Sequence, residues 1–260
     1  YILLLLFIMF INNFDPVAIE IFSLEIRWYS LAYIFGILIG WLYCRKILIK
    51  DKTTSVLFDD LIPYVVIGII IGGRIGYVIF YNLEYYLNNF SEMVMIWKGG
   101  MSFHGALIGI ILSVIIFCDK HKINKFIFLD LIAVSAPIGI FFGRVANFIN
   151  GELVGKTTDV NWGVVFPNID NFTRHPSQLY EALLEGIILF ILMNWIYLRS
   201  SYKTGTCSFM FLIFYGLFRT LSEFFREPDI QIGYIIGSVS MGMLLSMFMI
   251  LAGLILYLKK

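Results

Sequence analysis

The stretch Phe126-Ile127-Phe128-Leu129-Asp130-Leu131-Ile132-Ala133-Val134-Ser135-Ala136-Pro137-Ile138-Gly139-Ile140-Phe141-Phe142-Gly143-Arg144-Val145-Ala146-Asn147 decides the fold. A bilayer span takes roughly 20 mostly apolar residues, and this run has the length and ends on an arginine and an asparagine. Lipid does not accept such a charge unless it faces a cavity, a partner or a polar substrate, so an intramembrane arginine points to function. Pro137, upstream in the same run, can bend the helix and open room for a ligand.

Working outward, six further segments have span length: 28–47, 61–81, 101–117, 179–198, 206–225 and 234–258. A mean hydropathy of +0.86 with 14% charged residues excludes soluble and disordered classes and leaves the membrane class. The expectation is an all-α polytopic membrane protein with about seven transmembrane helices, built as a single transmembrane domain over residues 1–260. Tyr1 to Asn12 are almost wholly apolar, too short to span and without the charged start and small-residue cleavage site of a signal peptide. They are expected to form an interfacial N-terminal arm. Cys44, Cys118 and Cys207 form no Cys-x-x-Cys pair, and the three histidines are widely spaced. No disulfide framework, metal, cofactor or nucleic-acid partner is expected.

Lysines and arginines set the orientation, because short cytoplasmic loops carry the positive excess. Arg45, Lys46, Lys50, Lys52, Lys120, Lys122, Lys125, Arg199, Lys203, Lys259 and Lys260 fall on one side, against Arg27, Lys98, Lys156, Arg174 and Arg226 on the other. The N-terminus is therefore expected outside and the C-terminus in the cytoplasm. On that orientation His104, Arg144, Asn147, Arg219, Glu223 and Arg226 all face the outer half of the membrane.

Tyr215, Arg219, Glu223 and Arg226 step by four, four and three, so they are expected to share one helix face. The stripe reads either as an ion-pair ladder pinning neighbouring helices or as a binding surface; the cost of burying charge in lipid favours the second. Arg144 and Asn147 are likewise one face apart. Gly143 and Gly155 bracket a segment where backbone N–H groups could approach a phosphate. Arg144 is expected to pair with Glu152 or Glu223, or to present its fork of donors to phosphate oxygens. Arg74, in Gly72-Gly73-Arg74-Ile75-Gly76-Tyr77, reads as packing, since the small residues suit close helix contact. Ser177 is expected to cap a helix, and His175 is equally a loop anchor or a catalytic group.

Gly143-Arg144-Val145-Ala146-Asn147-Phe148-Ile149-Asn150-Gly151-Glu152-Leu153-Val154-Gly155 resembles the signature of the prolipoprotein diacylglyceryl transferase family. Matches run along the chain: Phe14-Asp15-Pro16-Val17, Arg27-Trp28-Tyr29, Gly72 to Tyr77, Gly99-Gly100-Met101-Ser102-Phe103-His104-Gly105, Arg174-His175-Pro176-Ser177-Gln178-Leu179-Tyr180-Glu181 and Glu223-Phe224-Phe225-Arg226. The resemblance implies a seven-span inner-membrane enzyme. It would move the diacylglyceryl group of phosphatidylglycerol onto the lipobox cysteine of a prolipoprotein signal peptide and release glycerol 1-phosphate. It also carries over Tyr29, His104, Arg144, Asn147, Glu152 and Glu223 as catalytic candidates, with Arg144, Gly155, Tyr215, Arg219 and Arg226 on the substrate and Arg219 in both sets. Ala106 departs mildly from the family pattern, where a glycine often follows His-Gly.

Such a reaction needs a base for a thiol whose pKa starts near 8.5 and cations for the phosphate charge that develops. Arg144 and Arg219 suit the second task. His104, of a residue type with a pKa near 6.5, is either that base or a residue that orients a neighbour. The alternative function is a transporter or channel for an anionic solute, which also uses intramembrane arginines.

Overall fold

Apolar runs in lipid close on themselves as helices, because their backbone groups find no other hydrogen-bond partner there. The computed structural model describes residues 10–22, 24–199, 203–228 and 233–260. Along the chain run α1 (Trp28–Tyr43), α2 (Lys52–Tyr81), α3 (Leu83–Asn88), α4 (Phe103–His121), α5 (Lys125–Asn150), α6 (Ser177–Glu181), α7 (Leu189–Tyr197), α8 (Thr206–Glu223) and α9 (Met241–Leu258). Wider π-helical turns at Cys44–Leu48 and Ala182–Ile188 extend α1 and join α6 to α7. Polar caps start α2, α4 and α9: Asp51 accepts from Thr54 N–H at 2.7 Å, Ser102 from Gly105 at 3.2 Å and Ser240 from Met243 at 3.2 Å. Each such cap is worth about 1 kcal/mol.

Six described helical segments are long and apolar enough to cross a membrane, and α8 is not among them. It is as long as α9, 18 residues, but Arg219, Ser222 and Glu223 lower its apolar character. The last expected span also begins later than its hydropathy suggests. Residues 234–240 form a hairpin, β6 (Tyr234–Ile236) with β7 (Val239–Ser240), and α9 starts only at Met241.

Short strands that the helical expectation did not include occupy the connections. β2 (Val17–Ile21) pairs antiparallel with β3 (Leu24–Arg27). β1 (Phe10–Ile11) lies parallel to β4 (Val164–Val165), which pairs with β5 (Thr173–Arg174). The expected N-terminal arm falls mostly outside the described residues. Its last part is tied down, with Asn12 Nδ2 donating to the Phe148 carbonyl at 2.6 Å.

Glycine sets how closely the spans approach. Gly68, Gly72 and Gly76 on α2 face Gly105 and Gly109 on α4, and a Cβ at Gly109 would stand 2.0 Å from the Gly68 carbonyl oxygen. This is small-residue packing at four-residue spacing, in which van der Waals contact between backbones replaces a hydrophobic drive that lipid cannot supply. Gly36 of α1 meets Gly139 of α5 in the same way, and Gly216 and Gly253 bring α8 against α9. Phe58, Val114, Phe117, Phe128, Leu131, Leu189 and Tyr215 fill the centre of the bundle. Arg74 agrees with the packing expectation: its guanidinium donates to the main-chain carbonyls of Glu92 (2.7 Å), Met93 (2.8 Å), Gly99 and Gly100 (3.2 Å).

Candidate active site

A cavity of about 1230 Å³ lies among α1, α2, α4, α5 and α8, larger than the range of roughly 300–1,000 Å³ usual for small-molecule sites. Its wall is apolar for most of its length, with Ile37, Val65, Ile69, Leu107, Ile110 and Ile132; it reaches Lys125 and Ser208 at one end and becomes densely polar at the other. Phe126 and Arg144 both line it, so along α5 it extends about 27 Å at 1.5 Å per residue. That length and apolar wall suit a lipid chain, and the polar end suits its headgroup.

The polar end gathers the ends of several helices. Tyr29 comes from the start of α1, His104 from the start of α4, Arg144 and Asn147 from the end of α5, and Tyr215 and Arg219 from α8; all line the cavity together with Glu152 and Arg226. Glu223 and Gly155 are absent from that wall.

Two carboxylates from the α6–α7 segment organise the arginines. Glu181, wholly buried, forms an ion pair with Arg144 Nη1 at 2.8 Å and accepts from Arg219 Nη1 at 2.5 Å. Glu185, also buried, accepts from Arg144 Nη2 at 2.9 Å, while Arg219 Nη2 meets Glu223 at 2.6 Å. Arg226 Nη1 stands 3.9 Å from that same Glu223 oxygen. Three arginines thus balance three glutamates. The cluster is close to neutral, as burial requires of charges taken from water.

Several expectations change. Arg144 pairs with Glu181 and Glu185, not with Glu152 or Glu223, and Glu152 instead accepts from Asn147 and Asn150, both at 3.3 Å. The stripe on α8 stops at Glu223, where the helix ends; Arg226 lies beyond it, bridged to Gly155 in a short antiparallel contact. Gly155 N–H donates to the His175 carbonyl at 3.1 Å, so that donor is already committed. The close approach at Gly155 is to protein, since a Cβ there would sit 2.2 Å from the His175 oxygen. Ser177 is the first helical residue rather than the cap, and its hydroxyl donates to the Leu153 carbonyl at 3.1 Å. His175 anchors the loop: Nδ1 lies 3.2 Å from the Tyr180 hydroxyl and the ring packs on Phe225. Burial pushes its imidazole below the ordinary histidine value.

Glu181 and Glu185, which join the arginines of this end, are residues to which sequence reading gave no role. The signal was present, because two acids four apart inside an apolar span are as costly in lipid as the arginines. His104 is different from all of these. Both ring nitrogens are buried and make no hydrogen bond among the described residues, although Arg144 and Arg219 share its cavity wall. Tyr215 has a buried hydroxyl in the same condition, its ring stacked on Phe103 at 4.3 Å.

The family model described as prolipoprotein diacylglyceryl transferase matches residues 16–259. Among proteins named phosphatidylglycerol–prolipoprotein diacylglyceryl transferase, that of Rickettsia bellii is 47% identical over 251 residues, covering 95% of each chain. That of Rickettsia typhi is 49% identical over 249 residues, 94% of this chain and 96% of the relative. That of Ehrlichia canis is 51% identical over 243 residues, 92% of this chain and 93% of the relative. With one match over nearly the whole chain and relatives of this identity and coverage, the chain belongs to the prolipoprotein diacylglyceryl transferase family and is a multi-pass membrane transferase.

Proposed function

We propose that the polar end of the cavity holds the phosphate of phosphatidylglycerol on Arg144 and Arg219 while its diacylglyceryl group passes to the lipobox cysteine of a prolipoprotein. The acceptor sulfur attacks the glyceryl carbon that carries the phosphate. A C–S bond forms, the C–O bond breaks, the electron pair leaves on glycerol 1-phosphate, and the thiol proton goes to a base. A phosphodiester with one negative charge becomes a monoester that gains further charge. The protein therefore needs forked donors fixed in advance where that charge appears.

One observation carries this reading: Glu181 joins Arg144 of α5 to Arg219 of α8 at the cavity end where neither ring nitrogen of His104 is hydrogen-bonded among the described residues. Charged groups locked by charged groups need no reorganisation when the transition state forms. In these roles Arg144 and Arg219 bind and stabilise the leaving phosphate, Arg226 adds a cation at the same end, and His104 takes the thiol proton. Glu223 sets Arg219, and Asn147 with Glu152 forms a polar edge beside Arg144. Tyr29 and Tyr215 shape the headgroup region, and Gly155 keeps the loop from Glu152 to His175 against Arg226. Membership of the transferase family leaves the anionic-solute transporter without support.

The same reading sets the protein in the bacterial inner membrane as a single domain, with α8 as a seventh span, the N-terminus outside and the C-terminus in the cytoplasm. The excess of lysine and arginine at the ends opposite His104 and Arg144 supports it. Incubation of the purified protein with phosphatidylglycerol and a lipobox peptide tests the reaction. The expected products are a thioether-linked peptide and glycerol 1-phosphate in equal amounts; release of fatty acid instead would overturn the bond assignment.

A further inference from the structure

We propose that Leu153 and Ile169 form an apolar lip on the cavity that contacts the residues leading up to the acceptor cysteine and so sets peptide specificity. Leu153 has a φ of 54°, in the left-handed region that a bulky residue adopts only under constraint. Two other described non-glycine residues share that region, and each serves a turn. Lys122 is the C-cap of α4, and Phe22 follows β2 where the chain reverses into β3. Leu153 has no such duty, because Gly151 has already capped α5.

Hydrogen bonds from other segments hold the strained backbone in place. Glu152 O accepts from Gln178 Nε2 at 2.6 Å, Leu153 O from the Ser177 hydroxyl at 3.1 Å, Val154 O from Glu227 N–H at 3.1 Å and Gly155 O from Arg174 Nη1 at 2.9 Å. Val154 is also buried in one cluster with Phe148, Val164 and Phe166. A segment fixed through four successive carbonyls can keep a residue in a costly conformation, and such residues gather where ligands are held. Packing gives little in return. Leu153 keeps 38% of its surface exposed, and glycine would take the same φ without strain. What leucine adds over glycine is a side chain on the cavity wall.

Ile169 supplies the second half of the lip. It is 51% exposed and lines the same cavity. Its neighbour Asp170 binds Arg174, which also donates to the Gly155 carbonyl, so one guanidinium fixes both parts of the loop. Position and chemistry together name the occupant. Along the chain, Leu153 and Ile169 follow Arg144 and Asn147, whereas Leu129, Ile132 and Ile140 of the α5 wall precede them. That wall suits the donor's chains, with their phosphate at Arg144, and leaves the lip for the other substrate. The acceptor cysteine stands at the end of a signal peptide, after its apolar stretch. Leucine and isoleucine fit that segment, whereas a glycerol phosphate gains nothing from apolar contact.

The identity of the peptide rests on the transfer reading above, so binding and transfer are measured separately. Wild type, Leu153→Ser, Ile169→Ser and Leu153→Gly, each as the full chain in mixed micelles of varied phosphatidylglycerol content, are titrated with a fluorescent lipobox peptide whose cysteine is replaced by serine. Transfer kinetics use the cysteine peptide. Both serine variants should weaken peptide binding and raise the peptide KM about tenfold, the scale of a lost apolar contact in a pocket, with the KM for phosphatidylglycerol unchanged. Leu153→Gly should show the same loss while melting no lower than wild type, because it releases the strained φ. A peptide with serines in place of the apolar residues before the cysteine should bind wild type weakly and lose little more in the variants. Unchanged peptide affinity in both serine variants, equal losses for the two peptides, or a rise in the phosphatidylglycerol KM instead would overturn the proposal. So would a lower melting temperature in Leu153→Gly, which would make the leucine a packing residue. Lip-dependent binding without transfer by wild type would uphold the lip and overturn the transfer reading.

Discussion

The carboxylate of Glu181 is shared between Arg144 and Arg219, one oxygen 2.8 Å from the first guanidinium and the other 2.5 Å from the second. It is the joint through which a helix end from the middle of the chain and one from near its C-terminus form one site. Removing it leaves three arginines on two glutamates, with Arg144 held by Glu185 and Arg219 by Glu223, and breaking a buried pair typically costs about 3–5 kcal/mol. Glu181→Ala should therefore lower the melting temperature in detergent markedly. Glu181→Gln keeps an acceptor and should melt closer to wild type while still losing roughly 10²-fold in transfer, since small misplacement of a binding group has that effect. Wild-type turnover in the Gln variant would reduce Glu181 to a packing residue.

Lysine at position 144 or 219 keeps the charge and discards the planar fork that now reaches two carboxylates at once. Each of Arg144→Lys and Arg219→Lys should lose about 10²-fold or more in activity with insertion and folding retained. Melting curves and transfer rates on the same preparations check this. Full activity in both variants would return the arginines to a structural role.

The spans and the family signature were legible because both are local: apolar runs have a length, and the Gly143–Gly155 motif is contiguous. The pairing inside the site was not. Glu181 and Glu185 reach Arg144 across some forty residues of sequence, and nothing in the spacing selects them over Glu152, which is much nearer to Arg144 in sequence. The polar stripe on α8 was read correctly as far as Glu223. Its last member was misread because helical steps were continued past the residue where the chain leaves the helix to bridge Gly155. Hydropathy likewise placed the last span too early, since β6 and β7 are built from residues as apolar as those of α9.

Sidedness can be read directly with an impermeant thiol reagent on a cysteine-free background in intact cells. A cysteine at Asn161, which is exposed, should label from outside, and one at Lys260 should label only after the membrane is opened. The reverse pattern would invert the orientation and turn the polar end of the cavity toward the cytoplasm.

Outside the membrane, Arg174 binds Asp170 at 2.5 Å, Glu227 at 3.3 Å and the Gly155 carbonyl at 2.9 Å, tying the loop after α5 to the segment after α8. Hydrogen bonds from Arg174 hold the Asp170 carboxyl below its ordinary value. A depressed carboxyl stabilises the folded loop at every pH above the unfolded value of about 3.9, and that contribution disappears as pH falls through the folded value. Amide exchange in residues 155–174 should accordingly be slow relative to the unfolded chain at neutral pH and lose protection below about pH 4. In Asp170→Asn the step should vanish, with weaker protection throughout. An unchanged step would assign the acid sensitivity to another group.

His104 is the residue whose chemistry can be separated most cleanly from its packing. Its ring is buried with neither nitrogen bonded among the described residues, so it supports no partner that a substitution would release. If it takes the acceptor proton, His104→Gln should cost about 10²–10⁴-fold in the chemical step, with phosphatidylglycerol binding nearly intact. As pH rises toward about 8.5, the thiol ionises unaided, so the variant should recover relative to wild type. The measurement is a pair of pH–rate profiles on one lipobox peptide, with lipid affinity determined separately. Parallel profiles would remove proton transfer from His104, and a loss of lipid affinity would make it part of the headgroup site proposed for Arg144 and Arg219.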